Sequence, residues 1–321
     1  MFRQLTVSGF PAIALRSAEI EVVVVPTLGM RLTNLRRPRG REWLWRNAQL
    51  PLALPRPGAP YSETADFGGW DECFPTVAAS RVPGAPTNDP PIPGHGEPWS
   101  ASWTSSVYEH SGGTTLTSST QGTLFPYQFQ REITLDPSDP VLRLRYALRH
   151  LGDAPFPWIW SAYPLLNIQP GSTLTLPTVA RMRVGRVHGR DDLRQDMIVD
   201  WASGLEGEGR TLTLPPESGW AAKLLGDIGS SGRMSLTDPR RGERLELIVD
   251  PMEVPQVGLW INAGGWAPPG RTPYYNIALQ PCIGAPDSLA EAAQSGTARM
   301  LTPGEECRWG VEVWLRDEGG D

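Results

Sequence analysis

Several runs of this chain alternate between apolar and polar residues with the period of two that puts successive side chains on opposite faces of a strand. In residues 141–148 the apolar positions Leu142, Leu144, Tyr146 and Leu148 share one face. Residues 128–135 alternate as well, and Asp136-Pro137-Ser138-Asp139-Pro140 supplies a turn between the two runs. Residues 106–110 and 114–117 flank Ser111-Gly112-Gly113 and predict a hairpin. Residues 19–25 form a β-branched run that stops at Pro26, as a buried strand does. Shorter strands are expected at 43–46, 174–176, 211–214, 234–237, 245–249 and 311–315. Only one helix is expected, from Ser288-Leu289-Ala290-Glu291-Ala292-Ala293, capped by Asp287 and ended by Gly296.

Strands without intervening helices exclude a parallel α/β fold and predict a large antiparallel sandwich, all-β with few short helices. No repeat or Pro/Ser linker divides the chain, so residues 1–321 are read as one domain. Two stretches break the strand pattern, 50–98 and 263–275. Loops of that length are functional or disordered. The Trp and Phe density of the first argues against disorder.

Composition agrees with many strands joined by many turns: Gly 34 and Pro 33, with hydrophobic content of 40% and charged content of 20%. Thirteen Trp residues serve either a thick core or exposed platforms for sugar faces. A net charge of -6 argues against a nucleic-acid partner. The Arg36-Arg37-Pro38-Arg39-Gly40-Arg41 patch reads as a solvated turn, and Lys223 is the only lysine. Cys73, Cys282 and Cys307 are an odd set. With no apolar h-region at the N-terminus and no run long enough to span a bilayer, reduced thiols and a cytoplasmic, non-membrane protein are expected.

Chemistry concentrates in the first long stretch. Asp66-Phe67-Gly68-Gly69-Trp70-Asp71-Glu72-Cys73-Phe74-Pro75 sets two adjacent acids, Asp71 and Glu72, between glycines and aromatics, and Gly94-His95-Gly96-Glu97-Pro98-Trp99 adds an imidazole and a glutamate beside another tryptophan. Such groups suit a sugar, which needs partners for its hydroxyls and an apolar surface for its C–H face. A Trp-rich loop with solvated acids is the plain alternative. The scattered His95, His110, His150 and His188 show no metal-ligand spacing, and no phosphate loop or Gly-x-Ser-x-Gly elbow is present. No metal or cofactor is expected.

Four ordered segments carry a resemblance: Gly69-Trp70-Asp71-Glu72-Cys73-Phe74-Pro75-Thr76, His95-Gly96-Glu97-Pro98-Trp99, Pro157-Trp158-Ile159-Trp160-Ser161-Ala162-Tyr163-Pro164 and residues 279–289 around Leu279-Gln280-Pro281-Cys282. Together they resemble the aldose 1-epimerase-like branch of the galactose mutarotase superfamily. The resemblance implies a β-supersandwich of two large antiparallel sheets and a sugar site on a concave, loop-rimmed surface. It also implies mutarotation, in which a glutamate takes the C1 hydroxyl proton and a histidine protonates the ring oxygen.

The glutamate position falls on Gln280 and the histidine position on Tyr163, while a second, substrate-holding histidine is kept as His95. An amide cannot act as the base. A phenol is a weaker acid than imidazolium. The expectation is a protein that binds a sugar through His95, Asp71, Glu72, Gln280 and the aromatics Trp70 and Trp266, with weak or no mutarotase activity. An active isomerase would use Tyr163 as acid with Glu72 or Glu97 as replacement base. A lyase or hydrolase ranks last, since Asp71, Glu72 and Glu97 are the only acids on hand. Which sugar is bound, and the oligomeric state, stay open.

Overall fold

In the computed structural model, which describes residues 1–55, 59–86 and 90–317, two large antiparallel sheets account for nearly all the regular structure. The first has eleven strands in the order Phe2–Val7, Phe10–Arg16, Glu21–Val25, Arg31–Arg36, Trp70–Cys73, Trp160–Asn167, Tyr275–Ile283, Gln256–Ala263, Trp220–Asp227, Arg181–His188 and Ile198–Asp200. The second has nine: Thr211–Thr213, Thr173–Thr175, Arg233–Asp238, Glu243–Ile248, Glu306–Asp317, Val141–His150, Tyr127–Leu135, Gly113–Gln121 and Thr104–His110. A single hydrophobic cluster joins Leu15, Val22, Trp70 and Trp160 of the first sheet to Phe129, Tyr146 and Trp309 of the second. That cluster is the interior of a sandwich. No helix of the described residues is long and apolar enough to cross a membrane.

The strands read from alternation are present. The 141–148 run lies within Val141–His150, with Leu142, Leu144, Tyr146 and Leu148 all buried. The glycine hairpin closes with His110 opposite Gly113. Two local expectations are corrected. Residues 43–46 form no strand, only an isolated bridge from Leu44 to Leu166. The helix spans Leu289–Gln294 with Ser288 at its N-cap. Asp287 is diverted to an ion pair with Lys223.

Three strands at the middle of the larger sheet left no alternation to read, because both their faces are covered. Trp220–Asp227, Gln256–Ala263 and Tyr275–Ile283 are buried at almost every position. The expected irregular stretch 50–98 also contains a strand, Trp70–Cys73. Its parts at 56–58 and 87–89 lie outside the described residues.

The sheets are tied across the sandwich by a buried ion pair. Glu72 points into the interior from the larger sheet, and Arg131 Nη1 of the smaller sheet donates to its Oε1 at 2.6 Å. Tyr146 Oη donates to the same oxygen at 3.0 Å, and Trp160 Nε1 to Oε2 at 2.9 Å. Arg131 Nη2 donates in turn to the Met30 carbonyl. Burial pushes the Glu72 carboxyl up to about 7, against the lowering pull of Arg131 and its other donors.

Removing one partner strands the other charge in an apolar interior. Glu72→Ala is therefore expected to cost about 3–5 kcal/mol of stability. Glu72→Leu combined with Arg131→Met should recover most of that loss. Urea denaturation followed by tryptophan fluorescence measures both, and a Glu72→Ala loss below about 1 kcal/mol would contradict the clamp.

Candidate active site

On the face of the larger sheet turned away from the smaller one, the sandwich opens into a cavity of about 410 Å³. Strand register dictates which side chains face its side of the sheet, and of these Tyr163, Lys223 and Trp260 line it. Tyr163 lies opposite Asp71, Ser161 opposite Cys73 and Cys282, and Gln280 opposite Gly258. Lys223 lies opposite Trp260. Cross-strand partners share a face, so Asp71, Cys73, Ser161, Tyr163, Gln280, Cys282, Trp260 and Lys223 all point the same way. Neighbours one residue away point into the core.

This parity corrects two of the expected assignments. Trp70 and Glu72 were read as site residues, but both lie on the core face, fully buried. Trp70 therefore cannot serve as a sugar platform, and Glu72 cannot act as a base in the cavity. Glu97 is corrected for a different reason. Its Oε1 accepts from the Thr123 and Leu124 amides at 2.8 and 3.0 Å, holding the turn between two strands of the smaller sheet. It does not line the cavity.

The cavity walls are aromatic: Tyr61, Phe67, Tyr163, Trp260 and Trp266. Trp266, anticipated from the sequence, comes from the irregular stretch after Ala263. Asn262 anchors that stretch by donating to the Trp266 carbonyl and accepting its amide. Trp266 packs edge-on against Trp260, with ring centroids 5.6 Å apart.

His95 arrives on a loop held by close backbone approach. A Cβ on Gly96 would lie 1.8 Å from the Phe74 carbonyl oxygen, so only glycine fits there, at φ +68°. Residue 95 itself sits in the left-handed region at φ +62°. The loop thereby lays the imidazole over the end of the Trp70–Cys73 strand. Its Nδ1 is 3.1 Å from Cys73 Sγ and 3.8 Å from Asp71 Oδ1. Tyr61 stacks on the ring, centroids 3.4 Å apart.

Gln280, at the centre of the sheet, is fully buried and its carboxamide oxygen accepts from Lys223 Nζ. Lys223 Nζ also reaches Asp287 Oδ1 at 3.2 Å and lies 5.6 Å from the Tyr163 ring centroid. Gly258 makes this meeting possible. A Cβ there would come within 2.8 Å of Gln280 Oε1 and 3.1 Å of Lys223 Nζ. Burial first, then the charges of Asp287 and the neighbouring acids, raises the Tyr163 phenol well above its ordinary value, while a hydrogen bond with Gln280 lowers it. It is a poor proton donor.

Lys223 is the cavity residue that sequence reasoning passed over. It had been noted only as the lone lysine; its singularity was the available signal. Burial raises the Cys73 thiol well above its usual value and pushes Cys282 up to about 11, which disfavours the free thiolate at both.

Lys223→Met is expected to cost about 1–3 kcal/mol, because it leaves the Gln280 carbonyl and Asp287 without their donor. Adding Gln280→Leu should then cost much less than it does alone. Additive losses in urea denaturation would show that the two side chains are not coupled.

No known family model matches the sequence, and no curated protein matches it. Solved structures do. A Synechocystis sp. PCC 6803 protein superposes with a TM-score of 0.71 at 15% identity, covering 96% of each chain. A galactose mutarotase related enzyme from Lactobacillus acidophilus gives 0.69 at 14% identity, over 96% of this chain and 98% of that one. A galactose mutarotase-like protein from Clostridium acetobutylicum gives 0.69 at 10% identity, over 99% and 98%. Identities this low speak to backbone architecture alone. The strand order, the paired sheets and these superpositions agree: this chain has the galactose mutarotase-like β-sandwich fold.

Proposed function

We propose that the cavity binds an aldose or a closely related sugar, with weak or no mutarotase activity. The observation that carries this reading is an aromatic-walled cavity lined by Lys223, whose side chain engages Gln280 buried beneath it. Aromatic walls with a few convergent polar groups suit a sugar, whose ring has apolar faces and a polar rim. At the position where the resemblance puts a base there is an amide, and its oxygen is already engaged by an ammonium. Of the carboxylates lining the cavity, Glu291 is an exposed residue of the short helix, while Asp287 is paired with Lys223 and Asp196 with Arg183 at 3.6 Å. A base so paired is a weak one, because its neighbouring cation stabilises the charged form. The isomerase reading with Glu72 or Glu97 as base finds no support in where those groups lie.

Calorimetric titration with a panel of aldoses should find at least one that binds, and Trp266→Ala should weaken it at least about tenfold. Polarimetry should find anomer interconversion at the spontaneous rate. Failure of every sugar to bind would sink the proposal, as would fast interconversion that pocket variants abolish.

The same geometry sets what would restore catalysis. Gln280→Glu alone should do little, since Lys223 would hold the new carboxylate as an ion pair. Gln280→Glu with Tyr163→His and Lys223→Met should raise the rate by about a hundredfold or more. Equal rates for the single and triple variants would show that Lys223 does not govern the site.

A further inference from the structure

We infer that Asp71, Cys73 and His95 form a binding site for one divalent transition-metal ion of the zinc type, beneath the cavity wall that His95 lines. One oxygen, one sulfur and one nitrogen donor lie within 4.8 Å of one another, and all three residues are buried. A tetrahedral zinc ion with these ligands would set its donor atoms about 3.3–3.6 Å apart. Cys73 Sγ to His95 Nδ1 is 3.1 Å, and His95 Nδ1 to Asp71 Oδ1 is 3.8 Å.

A second observation points to a ligand. Asp71 is 1% exposed, yet among the described residues no donor is within hydrogen-bond distance of either carboxylate oxygen. A buried carboxylate without donors is costly. Arg31 Nη2, 3.8 Å from Oδ2, supplies charge at a distance but no bond.

The geometry also argues against a nucleophilic relay. In a Cys–His–Asp relay the thiol and the carboxylate address opposite ring nitrogens. Here both converge on the same Nδ1, as ligands around an ion do. Thiolate and imidazole donors favour zinc over magnesium or calcium. On binding, the Cys73 thiol gives up its proton to solvent, and the thiolate and Asp71 carboxylate balance the two positive charges. Three protein ligands leave one coordination position for water or a ligand oxygen. The local motif was invisible to a search for histidine spacing, because Asp71 and Cys73 are brought together by strand alternation and His95 by a loop.

The test is a titration of chelator-treated protein with Co2+, which requires no sugar and so is separate from the sugar proposal. The expected result is one Co2+ per chain, with a thiolate-to-cobalt charge-transfer band that Zn2+ displaces. Cys73→Ser should abolish the band, and Asp71→Asn or His95→Ala should weaken binding at least about tenfold. Cys282→Ser and Cys307→Ser should keep it. No saturable band, or a band that survives Cys73→Ser, overturns the inference. Should Cys73→Ser not fold, X-ray absorption of zinc-loaded wild-type protein decides. One sulfur at about 2.3 Å with nitrogen or oxygen at about 2.0–2.2 Å supports the site, and a sulfur-free shell overturns it.

Discussion

The structure depends on one geometric constraint: a strand buried on both faces must send adjacent residues to opposite destinations. Nowhere is this clearer than at Asp71-Glu72. The two acids are neighbours in the chain and chemically alike, yet Asp71 faces the site and Glu72 the interior between the sheets. Glu72 then becomes the counter-charge for Arg131, and its hydrogen bonds fasten the two layers together. Asp71 is left on the other side, beside His95 and Cys73. The central strands give the cavity its floor while closing the core behind it.

That same double burial explains how much could be read from the sequence. The smaller sheet was legible, because strands such as Tyr127–Leu135 bury alternate positions and expose several of those between. In the larger sheet, polar residues such as Lys223, Asn262, Asn276 and Gln280 stand at fully covered positions. They interrupt apolar runs without producing alternation, so neither strand signature appears. The ordered motifs around Trp70, His95, Tyr163 and Gln280 still indicated the fold, and strand pairing brings Asp71, Tyr163, Gln280 and Gly258 into one row. What failed was assignment within motifs. Residue type suggested that any acid beside tryptophan serves a sugar, whereas side-chain parity decides which acid can.

Lys223 shows a related limit. A lone lysine carries no motif, and its role depends on two residues more than fifty positions away, Gln280 and Asp287. It reaches across the intervening strand over Gly258, where a Cβ would crowd both contact atoms. Amide, ammonium, carboxylate and glycine therefore form a single electrostatic unit. A carboxylate at position 280 would sit in a different field from one in a site without the lysine.

Reducing sugars exist partly as open-chain aldehydes, which condense with free amines. Lys223 is the chain's only lysine and lines the cavity proposed for such sugars. An ammonium clamped between the Gln280 oxygen and the Asp287 carboxylate has no lone pair to offer an aldehyde. If such a sugar occupies the pocket, the clamp would deny it an amine to condense with, and the sequence holds no other ε-amine for such adduct chemistry.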